Sequence, residues 1–422
     1  MYQRVSTPLK QGPTNRADVT FEHSFLCSCN RNLSHLLEAR SLMNIEESLD
    51  QFGFLSDVAV VGGAVRDKLI GREYDDIDLA TSDVPETVKS KCSNRGIKTV
   101  DTGIDHGTVT ALVEGEEFEI TTFRRDVSTD GRNATVEFAD TIEEDLGRRD
   151  FTVNAMAMEP GGRIVDPYGG IGHLTDERIV CVGDPEERFR EDYLRIIRAL
   201  RFAARYDFEI GFNEQDAMED LSGRIADFVA VERVMTEVEK AMKSLGYRRF
   251  MAGMLDLGIL EDFLGRTIHN KTELLDVGAV RKAEDRMALF IWRLKHCSLI
   301  ESFDALQSLL NLSNDLIERA KAVGNAVHLL QQPVTEDVRR KILASYRDHL
   351  DAAKRIGHQA FDIGEDKFEA GVPLGPIATG QDFLDAGFEE GPQIGDLVER
   401  AHRIQLEEKI TDASTLVERA QK

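Results

Sequence analysis

The pattern of apolar residues changes at Pro185, and this change constrains the fold more than any other feature of the 422-residue chain. Before Pro185, short β-branched or alternating runs predict strands. After it, long amphipathic segments interrupted by glycine predict helices, and no convincing strand is found there. We therefore expect a multi-domain α+β protein, with an α/β head followed by an all-α remainder. The predicted strands are Val58–Val61, Ile77–Ala80, Thr108–Val113, Phe118–Phe123 and Val136–Phe138.

The charge balance limits the choice of partners. The chain has 52 basic and 76 acidic side chains, which gives a net charge of -24. Such an excess argues against a nucleic-acid partner unless arginine and lysine gather locally. No apolar run approaches the roughly 20 residues that span a bilayer. The first 30 residues lack the apolar core of a signal peptide. We expect a cytoplasmic protein with no membrane partner.

The five cysteines do not form a metal-binding pattern. Cys27 and Cys29 lie near His23, but the second ligand pair of a structural zinc site is missing at a suitable spacing. Ordinary thiols are expected.

The stretch VVGGAVRDKLIGREYDDIDLAT contains a glycine pair followed by two aspartates. Gly62 and Gly63 let backbone N–H groups approach phosphate oxygens, and Arg66 adds a charge-assisted donor. Asp76 and Asp78 would point to the same face of a strand, where their carboxylates repel unless a cation neutralises them. Magnesium is the natural candidate, although solvated acids in a polar turn are the alternative. Together these features predict metal and phosphate binding, as in a nucleotide site.

A second candidate segment is a predicted helix over Glu191–Tyr206. One face is apolar, and the other carries a stripe of charged residues every third position. A solvated face with Asp–Arg pairs is one interpretation. Arginines with no interleaved acid repel one another and call for anions such as a triphosphate, which is the other. The stripe consists of Asp192, Arg195, Arg198 and Arg201.

These segments resemble the motifs of the class II tRNA nucleotidyltransferase and bacterial poly(A) polymerase family, within the polymerase-β-like superfamily. After the glycine and aspartate stretch come HGTVTALVEGEEFEITTFRRD, EEDLGRRDFTVNAMAM, RFREDYLRIIRALRFAARYDF and VERVMTEVEKAM, in that order. The resemblance covers roughly residues 45 to 415. It implies a head, neck, body and tail. We place these at 45–183, 184–265, 266–360 and 361–422, with 1–44 as an extension of unknown role.

The resemblance also implies roles for individual residues. Asp76 and Asp78 would be the catalytic, metal-binding carboxylates, and Glu119 would be either a third carboxylate or a sheet-edge acid. Arg149 would contact the nucleotide, and Asp150 would orient an arginine or form a structural salt bridge. Asp192 and Arg195 are assigned to the incoming base, and Arg198 and Arg201 to the phosphates. In the neck, Glu232, Arg233 and Glu237 are expected to form a stabilising ion-pair network.

The expected activity is template-independent addition of C, C and A to the 3′ end of tRNA. The substrates would be CTP and ATP, with two Mg²⁺ ions held by Asp76 and Asp78 as cofactor, release of pyrophosphate and no DNA partner. A specialised A-adding enzyme or a poly(A) polymerase is the alternative, and a catalytically silent nucleotide or RNA sensor is a third. The segment Arg124–Arg132 lies where the family has a flexible loop, and its full length favours a CCA- or A-adder. No adjacent His-Asp pair occurs, so the phosphohydrolase of some relatives is not expected.

Overall fold

The computed structural model describes residues 43–421, apart from 75, 105–106, 130–133, 276, 278–279, 299, 346 and 371. The predicted extension therefore lies almost wholly outside the described residues, as do Cys27, Cys29 and His23. The head contains α1 (Ile45–Phe52), β1 (Ala59–Val61), α2 (Gly63–Leu69), β2 (Asp78–Thr81), α3 (Pro85–Ser93), β3 (Lys98–Gly103), β4 (Thr108–Val113), β5 (Glu116–Thr122), β6 (Arg124–Thr129), β7 (Ala134–Phe138), α4 (Ile142–Gly147), β8 (Ala157–Met158), β9 (Ile164–Val165), α5 (Gly170–Thr175) and β10 (Arg178–Ile179).

The head is built on a seven-stranded mixed sheet with the order β3-β4-β5-β2-β1-β8-β9. Strands β2 and β5 run parallel, with Leu79 opposite Ile120, whereas the other neighbours are antiparallel. Leu79 and Ile120 belong to the main core, and Ala80 packs in a smaller cluster on the other face. The register places Asp78 and Glu119 side by side, one residue before the first buried pair.

The remainder of the chain is helical. It contains α6 (Pro185–Glu191), α7 (Leu194–Tyr206), β11 (Glu209–Ile210), α8 (Phe212–Leu221), α9 (Ile225–Phe228), α10 (Val231–Met242), α11 (Tyr247–Asp256), α12 (Ile259–Leu264), α13 (Lys271–Leu275), α14 (Ala283–Cys297), α15 (Phe303–Leu310), α16 (Asn314–Leu330), α17 (Glu336–Ser345), α18 (Leu350–Phe361), α19 (Gly380–Asp385), α20 (Gln393–Glu408) and α21 (Ala413–Gln421). Among the helices in the described part of the chain, none has both the length and the hydropathy needed to cross a bilayer.

The α/β head and the helical remainder are confirmed, and three local predictions were wrong. Strand β11 follows Pro185 and pairs in parallel with β10, but two residues are too few to show alternation. The segment Arg124–Thr129 is a strand paired with β7, whereas the rest of the predicted loop lies outside the described residues. The third error concerns the predicted helix over Glu191–Tyr206. Asp192 is extended, with φ -154° and ψ 104°, so α6 ends before it and α7 begins at Leu194.

Helix α7 connects the head to the helices that follow it. Its apolar side, which includes Ile196, Ile197 and Leu200, is buried in the main core. Because the apolar residues recur at helical spacing, burying this side leaves the charged stripe on the opposite side. Phe151 in the head and Phe202 on α7 meet edge to face, with ring centroids 5.8 Å apart. The charged stripe is thereby held against the head.

Candidate active site

A cavity of about 530 Å³ lies where the glycine turn, the start of β2, the segment after α4 and the charged side of α7 meet. Every site residue predicted from the sequence lines this cavity except Glu119. Cationic groups predominate over acidic ones along its wall, which suits a polyanionic ligand. The lining residues are Gly62, Gly63, Ala64, Arg66, Asp67, Tyr74, Asp76, Asp78, Arg148, Arg149, Asp150, Asn154, Asp192, Arg195, Arg198, Arg201, Phe202, Arg205 and Lys240.

The glycine turn has a conformation that only glycine adopts readily. Gly62 has φ 76° and ψ -127°, and a Cβ built on it would lie 2.7 Å from Nη1 of Arg149. Gly62 therefore allows the Arg149 guanidinium to lie against the turn. Arg149 Nη2 donates to Asp145 at 3.3 Å, which fixes its direction. A Cβ on Gly63 would meet only Arg66, at 3.5 Å.

Arg66 was expected to donate to phosphate, but its guanidinium already donates hydrogen bonds to other side chains of the protein. Nε and Nη2 each donate to Asp67 at 2.9 Å, and Nη1 donates to Asn154. The guanidinium also lies over the Tyr206 ring, 4.6 Å from its centroid. Asn154 and Tyr206 are distant in sequence, so no local pattern could have revealed these contacts. Arg66 lines the cavity as a buried anchor between head and α7.

Asp76 and Asp78 lie on the same cavity wall, and neither has a hydrogen bond or salt bridge to any described residue. Burial raises the pKa of Asp78, and the charges of Glu119 and Asp76 raise it further, while Arg149 opposes them. Glu119 is exposed and lies outside the cavity. Within the described part of the chain, no group of three or more His, Cys, Asp or Glu side chains is placed to hold a metal. Two unpaired carboxylates nevertheless fit Mg²⁺, which commonly takes one or two carboxylates plus substrate phosphates.

Contrary to the interpretation of the sequence, each arginine of the stripe is paired with an acidic side chain. Arg195 pairs with Glu191 at 2.6 Å, Arg198 with Asp150 at 2.6 Å, and Arg201 with Glu237. Asp150 and Glu237 come from distant segments, so the stripe looked unneutralised in the sequence. The arginines are therefore fixed in direction and still line the cavity. Asp150 forms a salt bridge with Arg198, which is compatible with both interpretations of Asp150.

The buried charges of the stripe have shifted pKa values. Burial alone would raise the pKa of Asp150, but Arg198 and hydrogen bonds from Asn154 and the Phe151 amide lower it to about 2. The Asp150 charge raises the pKa of Arg198 in return. Arg201 has a lowered pKa because its burial outweighs the attraction of Glu237.

Asp192 lies between α6 and α7, and each of its two carboxylate oxygens accepts a hydrogen bond that holds it in place. Its Oδ1 accepts from the Leu194 amide at 3.1 Å, and its Oδ2 accepts from Arg233 at 2.8 Å. Arg195 is fixed as well, because its Nη2 donates to the Arg148 carbonyl at 3.0 Å. The sequence interpretation gave Arg233 and Glu237 a purely stabilising role in the neck helix. Arg233 and Glu237 are four residues apart, so they lie on one face of α10. This spacing could have indicated that both contact the segment of Asp192 and α7.

An α/β head with unpaired carboxylates beside a glycine turn, facing an arginine-lined helix, has the arrangement expected of a nucleotide site. Residues 58–180 match the family described as the poly A polymerase head domain. Over these residues the chain is similar to that family.

Two curated relatives show the extent of the likeness. The chain is 45% identical to a CCA-adding enzyme of Streptococcus pyogenes over 197 residues, which cover 46% of this chain and 48% of the relative. It is 46% identical to a CCA-adding enzyme of Leuconostoc citreum over 200 residues, which cover 47% and 48%. The matched segment thus spans about half the length of these relatives.

Solved structures extend the likeness over most of the chain. The Bacillus stearothermophilus CCA-adding enzyme in complex with CTP is 27% identical with a TM-score of 0.69, covering 89% of this chain and 96% of that one. The Thermotoga maritima CCA-adding enzyme complexed with tRNA has a TM-score of 0.61 at 19% identity, covering 89% and 95%. The second likeness shows a shared fold alone.

Proposed function

We propose that this protein adds C, C and A, one nucleotide at a time and without a nucleic-acid template, to the 3′ end of tRNA. The observation that carries the proposal is a single cavity with two separate chemistries. One wall has unpaired carboxylates beside a glycine turn, and the other has Asp192 and Arg195 fixed in place. Relatives named CCA-adding enzymes, including structures with CTP and with ATP, support it.

The phosphate end of the nucleotide is expected to lie at the glycine turn. Asp76 and Asp78 would hold Mg²⁺, which when bound neutralises charge on the phosphates and favours ionisation of the attacking hydroxyl. The terminal ribose O3′ of the tRNA attacks the α-phosphorus in line, and pyrophosphate leaves. Arg149 lies against the turn, where its charge can stabilise the developing negative charge.

The base end of the nucleotide is expected to lie against the break between α6 and α7. An ionised Asp192 only accepts hydrogen bonds, so it suits the exocyclic amine of cytosine or adenine. Arg195 only donates, so it suits the ring acceptors of the same bases. Uracil and guanine present a carbonyl where the amine would be, which leaves the carboxylate facing a lone pair. Selection of C and A therefore follows from two fixed side chains.

The rest of the chain is expected to hold the RNA. The helices after the neck, 266–360 and 361–422, would contact the acceptor and T arms by shape and phosphate contacts, as is usual for A-form RNA. The expected place of action is the cytoplasm. The rival with closest chemistry is an A-adding enzyme or poly(A) polymerase, which would use ATP alone.

Incubation with tRNA lacking its terminal CCA tests the proposal. Labelled CTP and ATP are supplied separately and then together, and the products are sequenced. Incorporation in the order C, C, A supports the proposal. Addition of ATP alone to tRNA ending in CC identifies an A-adding enzyme, and a long A tract identifies a poly(A) polymerase. Absence of any incorporation points to a silent sensor.

A further inference from the structure

The side chain of Arg233 reaches the base-selecting end of the cavity from outside. Its Nη2 donates to Asp192 Oδ2 at 2.8 Å, while the Leu194 amide donates to Oδ1 at 3.1 Å. Asp192 lines the cavity, but Arg233 does not. The Asp192 carboxylate is thus anchored through both oxygens by groups that the nucleotide would not touch. A carboxylate has about four lone-pair directions, so acceptor capacity remains for a ligand.

Helix stability does not account for the position of Arg233. It is the third residue of α10, and a cation in the first turn opposes the helix dipole. The residue before the helix, Ala230, offers no side-chain cap. The side chains of Arg233 and Asp192 are 36% and 24% exposed, and a pair so accessible to water stabilises a fold little. The effect of this pair must therefore lie mainly in what it does to Asp192.

We propose that Arg233 is a positioning residue for base selection, which prevents the Asp192 carboxylate from turning away from the wrong base. This inference rests on the proposed function. Rejection of uracil or guanine needs a carboxylate that stays in place, because a mobile one rotates and relieves the repulsion. Once Asp192 moved, Arg195 could donate to the carbonyl of the wrong base.

The other charged groups around Asp192 leave Arg233 as its side-chain anchor. Arg195 is committed to Glu191 and to the carbonyls of Arg188 and Arg148. Arg198 attracts Asp192 electrostatically, but its hydrogen bonds go to Asp150. Among the described residues, Arg233 supplies the one salt bridge that Asp192 makes. Removing the guanidinium should therefore free the carboxylate without disturbing Arg195.

The test compares nucleotides, using full-length protein and tRNA lacking its CCA end. The kcat/KM values for CTP, UTP, ATP and GTP are measured singly for wild type and Arg233→Met. The CTP-to-UTP ratio should fall about tenfold, the discrimination typical of one good side-chain contact to a base. Most of the fall should come from faster UTP incorporation, and kcat with CTP should be largely kept.

Arg249→Met is the matched control. Arg249 has nearly the same exposure, 37%, and pairs with Asp207 and Glu209 outside the cavity. Its replacement should leave all four values unchanged. Should Arg233→Met fail to fold, Arg233→Lys supplies the same comparison, because an ammonium lacks the planar fork of the guanidinium. The Lys variant should show a smaller fall of the same ratio.

An equal loss for all four nucleotides would make the contact merely structural and overturn the inference. An unchanged ratio in a folded variant would overturn it too, while leaving the proposed function intact. If the wild-type protein itself does not prefer CTP and ATP, the proposed function is wrong and this inference with it.

Discussion

Asp78 is the residue at which the needs of folding and of chemistry conflict most. It lies beside Asp76 and Glu119, and desolvation together with their negative charges raises its pKa, so the folded protein makes ionisation of this carboxyl less favourable than the unfolded chain does. Folded stability from this group is therefore present at low pH and is lost as pH rises from the unfolded pKa through the raised folded pKa. A bound cation would reverse this preference. An unpaired acid whose ionisation is made unfavourable by its surroundings is typical of a functional site.

We predict that Asp78→Asn abolishes nucleotide transfer without weakening the fold. Replacing the carboxylate removes its repulsion of Asp76 and Glu119, so thermal unfolding at pH 7 should occur at an equal or higher temperature. Transfer should fall roughly a hundredfold or more, as when a key electrostatic group is lost. Both are measured on the same preparation, by calorimetry and by CTP incorporation.

Glu119→Gln decides between the two interpretations of Glu119. Strand β5 lies between β4 and β2, so Glu119 is not on an edge strand. If it is nevertheless a non-catalytic acid, as its exposure and its place outside the cavity favour, transfer should remain near the wild-type level. A loss as large as that of the Asp78 variant would make it a third catalytic carboxylate. Normal transfer by Asp78→Asn would refute the role given to Asp78.

At the scale of elements, the sequence predicted which residues line the site better than it predicted which of them pair with one another. Strand alternation, the glycine turn and the amphipathic period of α7 are local patterns, and most elements formed close to where these patterns predicted. The exceptions include β2, which begins at Asp78 and leaves Asp76 before the strand, and α7, which begins at Leu194. The acids that neutralise the stripe are not local, since Asp150 is 48 residues from Arg198 and Glu237 is 36 from Arg201. Their pairing depends on how α7 packs against the head and α10, which no spacing within one element encodes. The break at Asp192 was missed because the helical period runs through it.

The pair of Asp150 and Arg198 should make the junction of head and α7 sensitive to acid. Asp150 has a pKa of about 2 against an ordinary value of 3.8, so it contributes about 2 kcal/mol of stability above pH 4. This stability should be lost as pH falls from about 4 to 2. Asp150→Asn should lower the free energy of unfolding at pH 7 by a similar amount, and the difference from wild type should shrink at pH 3. Denaturant unfolding at several pH values measures it.

The exposed pair of Glu159 and Arg163 provides the control for this measurement. Glu159→Gln should leave the unfolding free energy unchanged at both pH values, because water screens exposed pairs. A difference between Asp150→Asn and wild type that stays constant from pH 7 to pH 3 would contradict the low pKa of Asp150.

At the scale of the whole molecule, the C-terminal helices are attached through buried polar contacts. They have a small core of their own, which includes Phe383, Ala401 and Leu416. Arg340 on α17 is 4% exposed and donates to the carbonyls of Leu406 and Glu407 in the last turn of α20. It thereby satisfies carbonyls that have no partner within the helix, and its charge suits the negative end of the helix dipole.

A second buried contact fixes the segment that leads to these helices. Gln405 is fully buried, and its amide donates to the carbonyls of Pro373 and Gly375 while its oxygen accepts from the Ile377 amide. The glycine- and proline-rich interval before α19 is therefore bonded along α20. The contacts of Gln405 and Arg340 together set the position of α20 relative to α17. Through the helices that precede α17, they also set its position relative to the cavity. If the C-terminal helices hold the RNA, these contacts set the distance between the RNA-binding surface and the cavity where the RNA 3′ end reacts.

Arg340→Met should therefore impair transfer to full-length tRNA more than transfer to an acceptor-stem minihelix lacking CCA. The variant leaves buried carbonyls without a donor, which costs about 2 kcal/mol and loosens α20 without touching the cavity. KM for tRNA should rise several-fold, whereas kcat and KM for the acceptor-stem minihelix should stay the same, because it lacks the T arm that the C-terminal helices are proposed to hold. Arg339→Met is the control, because Arg339 donates to the Asp366 carbonyl at 3.0 Å instead of to α20. An equal loss with both RNAs would show that Arg340 supports the fold in general, and that its contact with α20 does not position the RNA.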